Sequence, residues 1–288
     1  MSWLEVSAAL RELTQVRNDG GSMASSWRSF VDLVNADPGR HPFHLRAIVG
    51  IVEDVGRAQG PNRVRILDHG GGGCSTLLYL CAMGYNGIHG IDLHSSNAKR
   101  WNRLLSEVLD IQETRLFSYD GRHLLFADDS FDVVFSQQVL EHVRPDVVDT
   151  YYAEEYRVLK PGGVVFHQVP HRLVPYDSHT RTWFLHLLPY RAWRWVLRRL
   201  GKSSETTETA LFLRWPWIHR RKIGEHFHHN VDVTIDRLVG IDDYSTYDGP
   251  VRLRQAITRV VGMPLMGPLA RRALKNLVMI DTVSRKRG

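Results

Sequence analysis

Cysteine is nearly absent from this chain of 288 residues: only Cys74 and Cys81 occur. Two thiols cannot build a disulfide framework, and their spacing puts both on one helix face as small core residues. No apolar run is long enough to span a bilayer. The N-terminal MSWLEVSAALRELTQVRN carries charges throughout, where a signal peptide needs an uninterrupted apolar core. Internal repeats and long low-complexity tracts are missing as well. These absences leave a soluble, cytoplasmic globular chain, expected as one domain with extensions, because 43% hydrophobic residues suffice for a full core. A net charge of +6 permits nucleic-acid, membrane or anionic small-molecule partners and decides among none of them. No nucleic-acid module appears, which makes nucleic acid the least expected partner.

Glycine, by contrast, is concentrated where it matters. In RVRILDHGGGGCSTLLYL the apolar run 63–67 reads as a strand, Gly70–Gly73 continues neither strand nor helix, and Ser75–Leu80 resumes with helix-compatible residues. Such a strand, turn and helix lets backbone approach a nucleotide-like ligand and offers unpaired N–H groups at the helix start. A plain surface turn is the equally simple alternative. The nicotinamide fingerprint GxGxxG, counted from Gly70, would need glycine at Ser75, which lowers that reading. Next, the run 87–91 ends in Asp92, whose carboxylate suits both hydroxyls of a ribose, or else caps a helix over Ser95–Leu109. After a third strand-like run, Asp120-Gly121 offers an acceptor for an exocyclic amine beside an open position, or an ordinary Asp-Gly turn.

Strand-like runs at 63–67, 87–91, 114–118, 131–136 and 164–169 alternate with helical stretches. That alternation predicts an α/β, doubly wound, mostly parallel sheet covered on both faces. Asp146–Leu159 is a covering helix that starts after Pro145, with Pro161-Gly162-Gly163 forcing the turn into the fifth strand. Residues 1–60 read as a helical extension, with helices over Ser26–Asn35 and Phe43–Gly56 separated by Asp37-Pro38-Gly39; they either cross the ligand mouth or form a packing layer. The remaining divisions are a cofactor-binding half at 61–170, an acceptor-side insertion at 171–250, and a C-terminal helix and closing strand at 251–288.

The order ILDHGGGG, GIDL, YDG, FDVVFSQQVLEHV and EEYRVLKPGG resembles the class I S-adenosylmethionine-dependent methyltransferases, in particular the type 11-like group with small-molecule acceptors, over about residues 63–169. The resemblance implies a seven-stranded Rossmann-like sheet and S-adenosylmethionine as cofactor. It also implies Gly70 and Gly72 against the methionine part, Asp92 on the ribose, Asp120 on the adenine, and Asp68 organising the loop and the cofactor's amino group. Leu93, Gly121 and Gln137 complete the expected cofactor-binding set. Asn276–Ser284 resembles the family's last strand, in which a hairpin closes the sheet. His69 and a fourth glycine, Gly73, depart from the family's loop.

For the chemistry, the sulfonium methyl is already activated, so the protein must mainly align an acceptor and remove its proton. The expected reaction is O-methylation of a small-molecule or glycan hydroxyl, including a lipid-linked one. His142 is the first candidate base, from the Leu140-Glu141-His142-Val143 segment that faces the cofactor mouth in related enzymes; His171 and His179, after the fifth strand, follow it. Glu141-His142 is also similar to the ExxEH pair of methyltransferases that bind a divalent ion. Gln138 replaces the first Glu, and His226, His228 and His229 lie far downstream without informative spacing, so no metal ligands are assigned. The insertion, rich in His, Trp and Arg, reads as an acceptor-pocket lid or, over 181–200, as an interfacial membrane element carrying Trp193 and Trp195. A non-catalytic cofactor-binding or membrane-associated partner protein is the alternative from another functional class.

Overall fold

The computed structural model describes all residues except 1, 2, 16–19, 38, 40, 73, 94–97, 110, 203–210 and 241–250. Gly73, the start of the helix expected from Ser95, and the polar stretch 203–209 therefore lie outside the described residues. Seven strands form the central sheet: β1 (Ile66–His69), β2 (Ile88–Asp92), β3 (Leu116–Ser118), β4 (Phe131–Gln137), β5 (Leu159–Val169), β8 (His229–Asp232) and β9 (Ile280–Arg285). Their spatial order is β3-β2-β1-β4-β5-β9-β8. The first five run parallel, while β9 pairs antiparallel with both β5 and β8. The strand order reverses between β1 and β4, so the crevice for a ligand opens beyond the carboxyl ends of these two strands.

Burial explains why these runs became strands. All four residues of β1 are buried, as are four of the five in β2, a pattern required of a parallel strand covered on both faces. On one face lie α1 (Trp3–Gln15), α2 (Gly20–Asn35), α3 (Arg46–Gln59), α4 (Ser75–Ala82) and α5 (Ala98–Leu109). Val6, Leu10, Trp27, Phe30 and Val34 share one buried cluster with Leu77, Trp101 and Leu104. The first two helices are thus a packing layer against α4 and α5, and Phe43 and His44, in the segment after them, line a ligand-sized cavity. The other face is covered by α6 (Val148–Val158) and α8 (Pro216–His226), through Tyr151, Tyr152, Ile223 and Phe227.

Several boundaries differ from the sequence reading. Arg63 belongs to a single 3-10 turn, Pro61–Arg63, and β1 begins later at Ile66. Pro161-Gly162-Gly163 makes no turn between helix and strand: β5 already starts at Leu159, and the triplet is a bulge that shifts the register against Phe131 and Val133. The last strand starts at Ile280, and its partner β8 precedes helices α9 (Thr234–Val239), α10 (Val251–Gly262) and α11 (Gly267–Leu274), so no tight hairpin closes the sheet. Cys74 and Cys81 are free and buried, but Cys74 caps α4 in the left-handed conformation, outside the helix. The insertion after β5 folds as a two-stranded ribbon, β6 (Tyr176–Asp177) with β7 (Thr182–Trp183), followed by α7 (Tyr190–Arg199). Trp193 is buried with Leu197 and Leu211, and is therefore core; Trp195 is exposed. No helix among the described residues is long and apolar enough to cross a membrane.

Candidate active site

The glycine loop is hooked onto the end of β2. Gly70 and Gly71 both donate their N–H groups to the Ile91 carbonyl, at 2.8 and 3.3 Å, and Gly72 N–H donates to Asp92 Oδ2 at 2.8 Å. Gly70 has φ +97°, and a Cβ there would stand 2.3 Å from Val139 Cγ2, so only glycine fits. Asp68 packs beneath the loop, where a Cβ on Gly71 would meet its Oδ2 at 3.1 Å. Burial, reinforced by the nearby Asp92 charge, pushes the Asp68 carboxyl up to about 8. That loop forms one wall of a cavity of about 440 Å³, lined also by Asp92, Leu93, Tyr119, Asp120, Gly121, Gln138, Val139, His142 and Tyr151. The size suits a nucleoside-bearing ligand. Asp120 is exposed, and its Oδ1 accepts from the N–H groups of Arg122 and His123, so the expected Asp-Gly turn and the cavity wall coexist.

Gln137 is placed differently from the sequence expectation. Its Nε2 donates to the His44 carbonyl at 2.7 Å, and it lines a second cavity of about 480 Å³. Gln138 follows with φ +54°, which ends β4 and turns the chain, and it lines both cavities. An amide at 137 alternates to the far side of the sheet edge, and the left-handed residue after it is the one that reaches the first cavity.

Beyond Gln138 a tight turn presents Glu141 and His142. His142 N–H donates to the Val139 carbonyl at 2.8 Å, and the Arg214 guanidinium donates to the Leu140 and Val143 carbonyls, pinning the turn from the insertion. Glu141 is 1% exposed, with neither carboxylate oxygen hydrogen bonded, and burial raises it to about 8. His179 approaches from the loop between β6 and β7. Its Nδ1 lies 3.1 Å from Asp177 Oδ1, its Nε2 lies 3.9 Å from Glu141 Oε1, and its ring sits edge-on to His142 at 5.0 Å between centroids. The Asp177 hydrogen bond holds His179 above the usual histidine range against the opposing pull of burial.

The three candidate histidines thus separate. His142 and His179 meet. His171 is buried, its Nε2 donating to the Val278 carbonyl at 2.8 Å and its Nδ1 accepting from Leu173 N–H at 3.1 Å. With both nitrogens engaged and burial lowering it to about 4, His171 has no site left to take a proton from an acceptor. His226 lies elsewhere, 3.4 Å from Asp149 Oδ1 on the outer side of α6.

Three groups escaped the sequence reading. Asp177 carries no motif beyond its two-residue spacing from His179. Arg214 acts across the insertion. His69, noticed only as an oddity of the loop, is a structural device: its Nδ1 meets Glu155 Oε1 at 2.8 Å, its Nε2 meets Tyr119 Oη at 2.9 Å, and its ring stacks on Tyr151 at 4.0 Å. Glu155 Oε2 also accepts from His167 Nε2 at 2.7 Å, so one fully buried carboxylate ties β1, α6 and β5 together directly behind the loop.

Comparison with known proteins comes last. No curated protein matches this chain. Solved structures with a related chain path include a geranyl diphosphate methyltransferase in complex with S-adenosylmethionine (14% identity, 96% of this chain and 94% of that one, TM-score 0.48). Another is a putative sarcosine dimethylglycine methyltransferase from Galdieria sulphuraria (17%, 92% and 88%, TM-score 0.46). A third is an S-adenosylmethionine-dependent methyltransferase from Mesorhizobium loti (18%, 83% and 100%, TM-score 0.41). The family profile described as a methyltransferase domain, type 11, matches residues 67–167. Every residue lining the first cavity falls inside that stretch. Residues 67–167 are thus a methyltransferase domain of the type 11 kind, which uses S-adenosylmethionine.

Proposed function

We propose that the enzyme transfers the methyl group to a hydroxyl of a small-molecule or glycan acceptor held in the second cavity. The observation that carries this reading is the shared wall. Gln138 lines both cavities, and His142 on the cofactor side stands against His179, whose partner Asp177 lines the acceptor side. When bound, S-adenosylmethionine supplies a methyl carbon activated by the sulfonium. The chain supplies alignment, exclusion of water and somewhere for the hydroxyl to lose its proton. Asp92 and the Gly70–Gly72 turn would hold the ribose and methionine parts, Asp120 and Gly121 the adenine side, and Asp68 the base of the loop. The acceptor cavity mixes Phe43, Val174, Tyr176 and Leu213 with His44, Gln168 and Arg237, whose guanidinium pairs with the buried Asp281 behind it. An acceptor with both apolar and hydroxylated parts suits such a lining.

A lipid-linked acceptor is the more specific version. Around the insertion, Trp183, Phe184, Trp195 and Leu200 are exposed among Arg191, Arg194, Arg198 and Arg199, the composition of an element resting on an anionic interface. The test is a screen of hydroxylated acceptors, free and lipid-linked, with isotopically labelled cofactor, locating the new methyl by mass spectrometry. Methyl on oxygen is the expected result; methyl only on carbon or nitrogen contradicts the reading. His142→Ala should bind S-adenosylhomocysteine and lower turnover roughly a hundredfold, and near-normal turnover would remove the His142–His179 pair from the reaction.

A further inference from the structure

We propose that Glu141, His142 and His179 bind a divalent first-row transition-metal ion at the junction of the two cavities. Their ligand atoms all lie within 4.8 Å of one another, and among the described residues they are the one such group of three. Glu141 Oε1 and His179 Nε2 stand 3.9 Å apart, too far for a hydrogen bond. Two ligands that each sit about 2.1 Å from one ion are separated by up to about 4 Å, so the spacing fits a shared cation.

Two independent features point into the gap. Glu141 is a carboxyl group buried to 1% exposure whose two oxygens have no hydrogen-bond partner on another residue, so its polar atoms are left unsatisfied unless something such as a cation completes them. His179 is held as a metal-ligating imidazole usually is: Asp177 Oδ1 accepts from Nδ1–H at 3.1 Å, which turns the Nε2 lone pair toward Glu141. Asp177 is itself fixed by the N–H and hydroxyl of Thr180. The set is not that of an ExxEH motif, because position 138 is Gln and the third ligand arrives on the loop between β6 and β7. One carboxylate and two imidazoles favour zinc, cobalt, iron or manganese over calcium or magnesium, which take oxygen ligands.

What the ion would do rests on the methyl-transfer reading above; whether it binds does not. Asp177 and Ser178, next to His179 in the chain, line the second cavity, and from that side the ion would take the acceptor oxygen as a further ligand and acidify the hydroxyl. With His142 and His179 taken up as ligands, the O–H bond breaks with its proton passing to water and not to the His142 imidazole, an oxygen electron pair forms the bond to the methyl carbon, and the carbon–sulfur bond breaks with its pair returning to sulfur. Positive charge on sulfur is thereby neutralised.

Protein stripped with a chelator and titrated with Co²⁺ should show a saturable visible d–d band at one ion per chain. Glu141→Gln and His179→Ala should each weaken binding at least a hundredfold, and Asp177→Asn about tenfold, while S-adenosylhomocysteine affinity, measured in the same samples, shows that each variant is folded. Absence of a saturable band in the wild type, or unchanged Co²⁺ affinity in folded Glu141→Gln and His179→Ala, overturns the proposal. So would loss of the band in a His226→Ala, His228→Ala, His229→Ala variant in place of His179→Ala. Co²⁺ binding without S-adenosylhomocysteine binding would leave the metal site standing and remove the cofactor reading alone.

Discussion

Replacing Glu155 by Gln should cost the fold about 3 kcal/mol. The carboxylate is fully buried and accepts from His69 on one oxygen and His167 on the other. Glutamine keeps the shape but offers one acceptor and one NH₂, so one histidine N–H is left facing a donor. Burial alone would raise the Glu155 carboxyl, yet the charges and hydrogen bonds of His167 and His69 outweigh it and hold the group down to about 2, from an ordinary 4.5. At 1.36 kcal/mol per pH unit that difference is worth about 3 kcal/mol at neutral pH, at the lower end of the 3–5 kcal/mol typical of a broken buried pair. In a chain of this size the melting temperature should fall by roughly 6–12 °C. The sign of the pH dependence follows from the lowered folded-state value. The contribution is fully present above the ordinary carboxyl range and is lost as the pH falls through about 2, so the gap between wild type and variant should be flat from neutral to mildly acidic pH and close only below about 4. Urea unfolding at several pH values measures it. A variant within 1 kcal/mol of wild type, or a gap that widens on acidification, would refute the reasoning.

Further substitutions probe the loop and the insertion. Gly70→Ala must carry φ +97° and meet Val139 Cγ2 at 2.3 Å; backbone strain alone is worth roughly 1–3 kcal/mol, so thermal shift with S-adenosylhomocysteine should show both a lower melting point and more than tenfold weaker binding, partly recovered in Gly70→Ala, Val139→Ala relative to Val139→Ala. For a lipid-resting insertion, Trp183→Ala with Trp195→Ala should reduce association with anionic vesicles at low salt without changing cofactor affinity, whereas Trp193→Ala, which empties a buried position, should cost roughly 3–5 kcal/mol of stability in denaturant titration.

The walls of the first cavity were largely legible from the chain because their signals are local. A glycine turn after an apolar run, and carboxylates at the tips of the next two strands, are set by residues within a few positions of each other. Gln137 shows where locality ends. Two adjacent amides look alike in sequence, and only the positive φ at Gln138 decides which one reaches the first cavity. The acceptor side was less legible for a different reason. His142 and His179 meet through a folded insertion, His171 is spent on backbone groups 2 and 107 positions away, and Asp177 gains meaning only once it orients His179. His69 and Glu155 lie 86 positions apart, and with His167 they form one hydrogen-bonded unit. No periodicity or spacing announces a contact of that kind; it depends on β1, α6 and β5 being packed together.

The central claim is that the cleft walled by Gly70, Asp92 and Asp120 holds S-adenosylmethionine, and calorimetric titration of S-adenosylhomocysteine into wild type and Asp92→Ala tests it most directly. In the wild type, one molecule should bind per chain. Asp92→Ala removes charge-assisted hydrogen bonds of roughly 1.5–3 kcal/mol each, as well as the acceptor that holds Gly72 N–H, so affinity should fall at least tenfold in a folded variant. Equal affinity in the two proteins, or no binding to the wild type, would contradict the account.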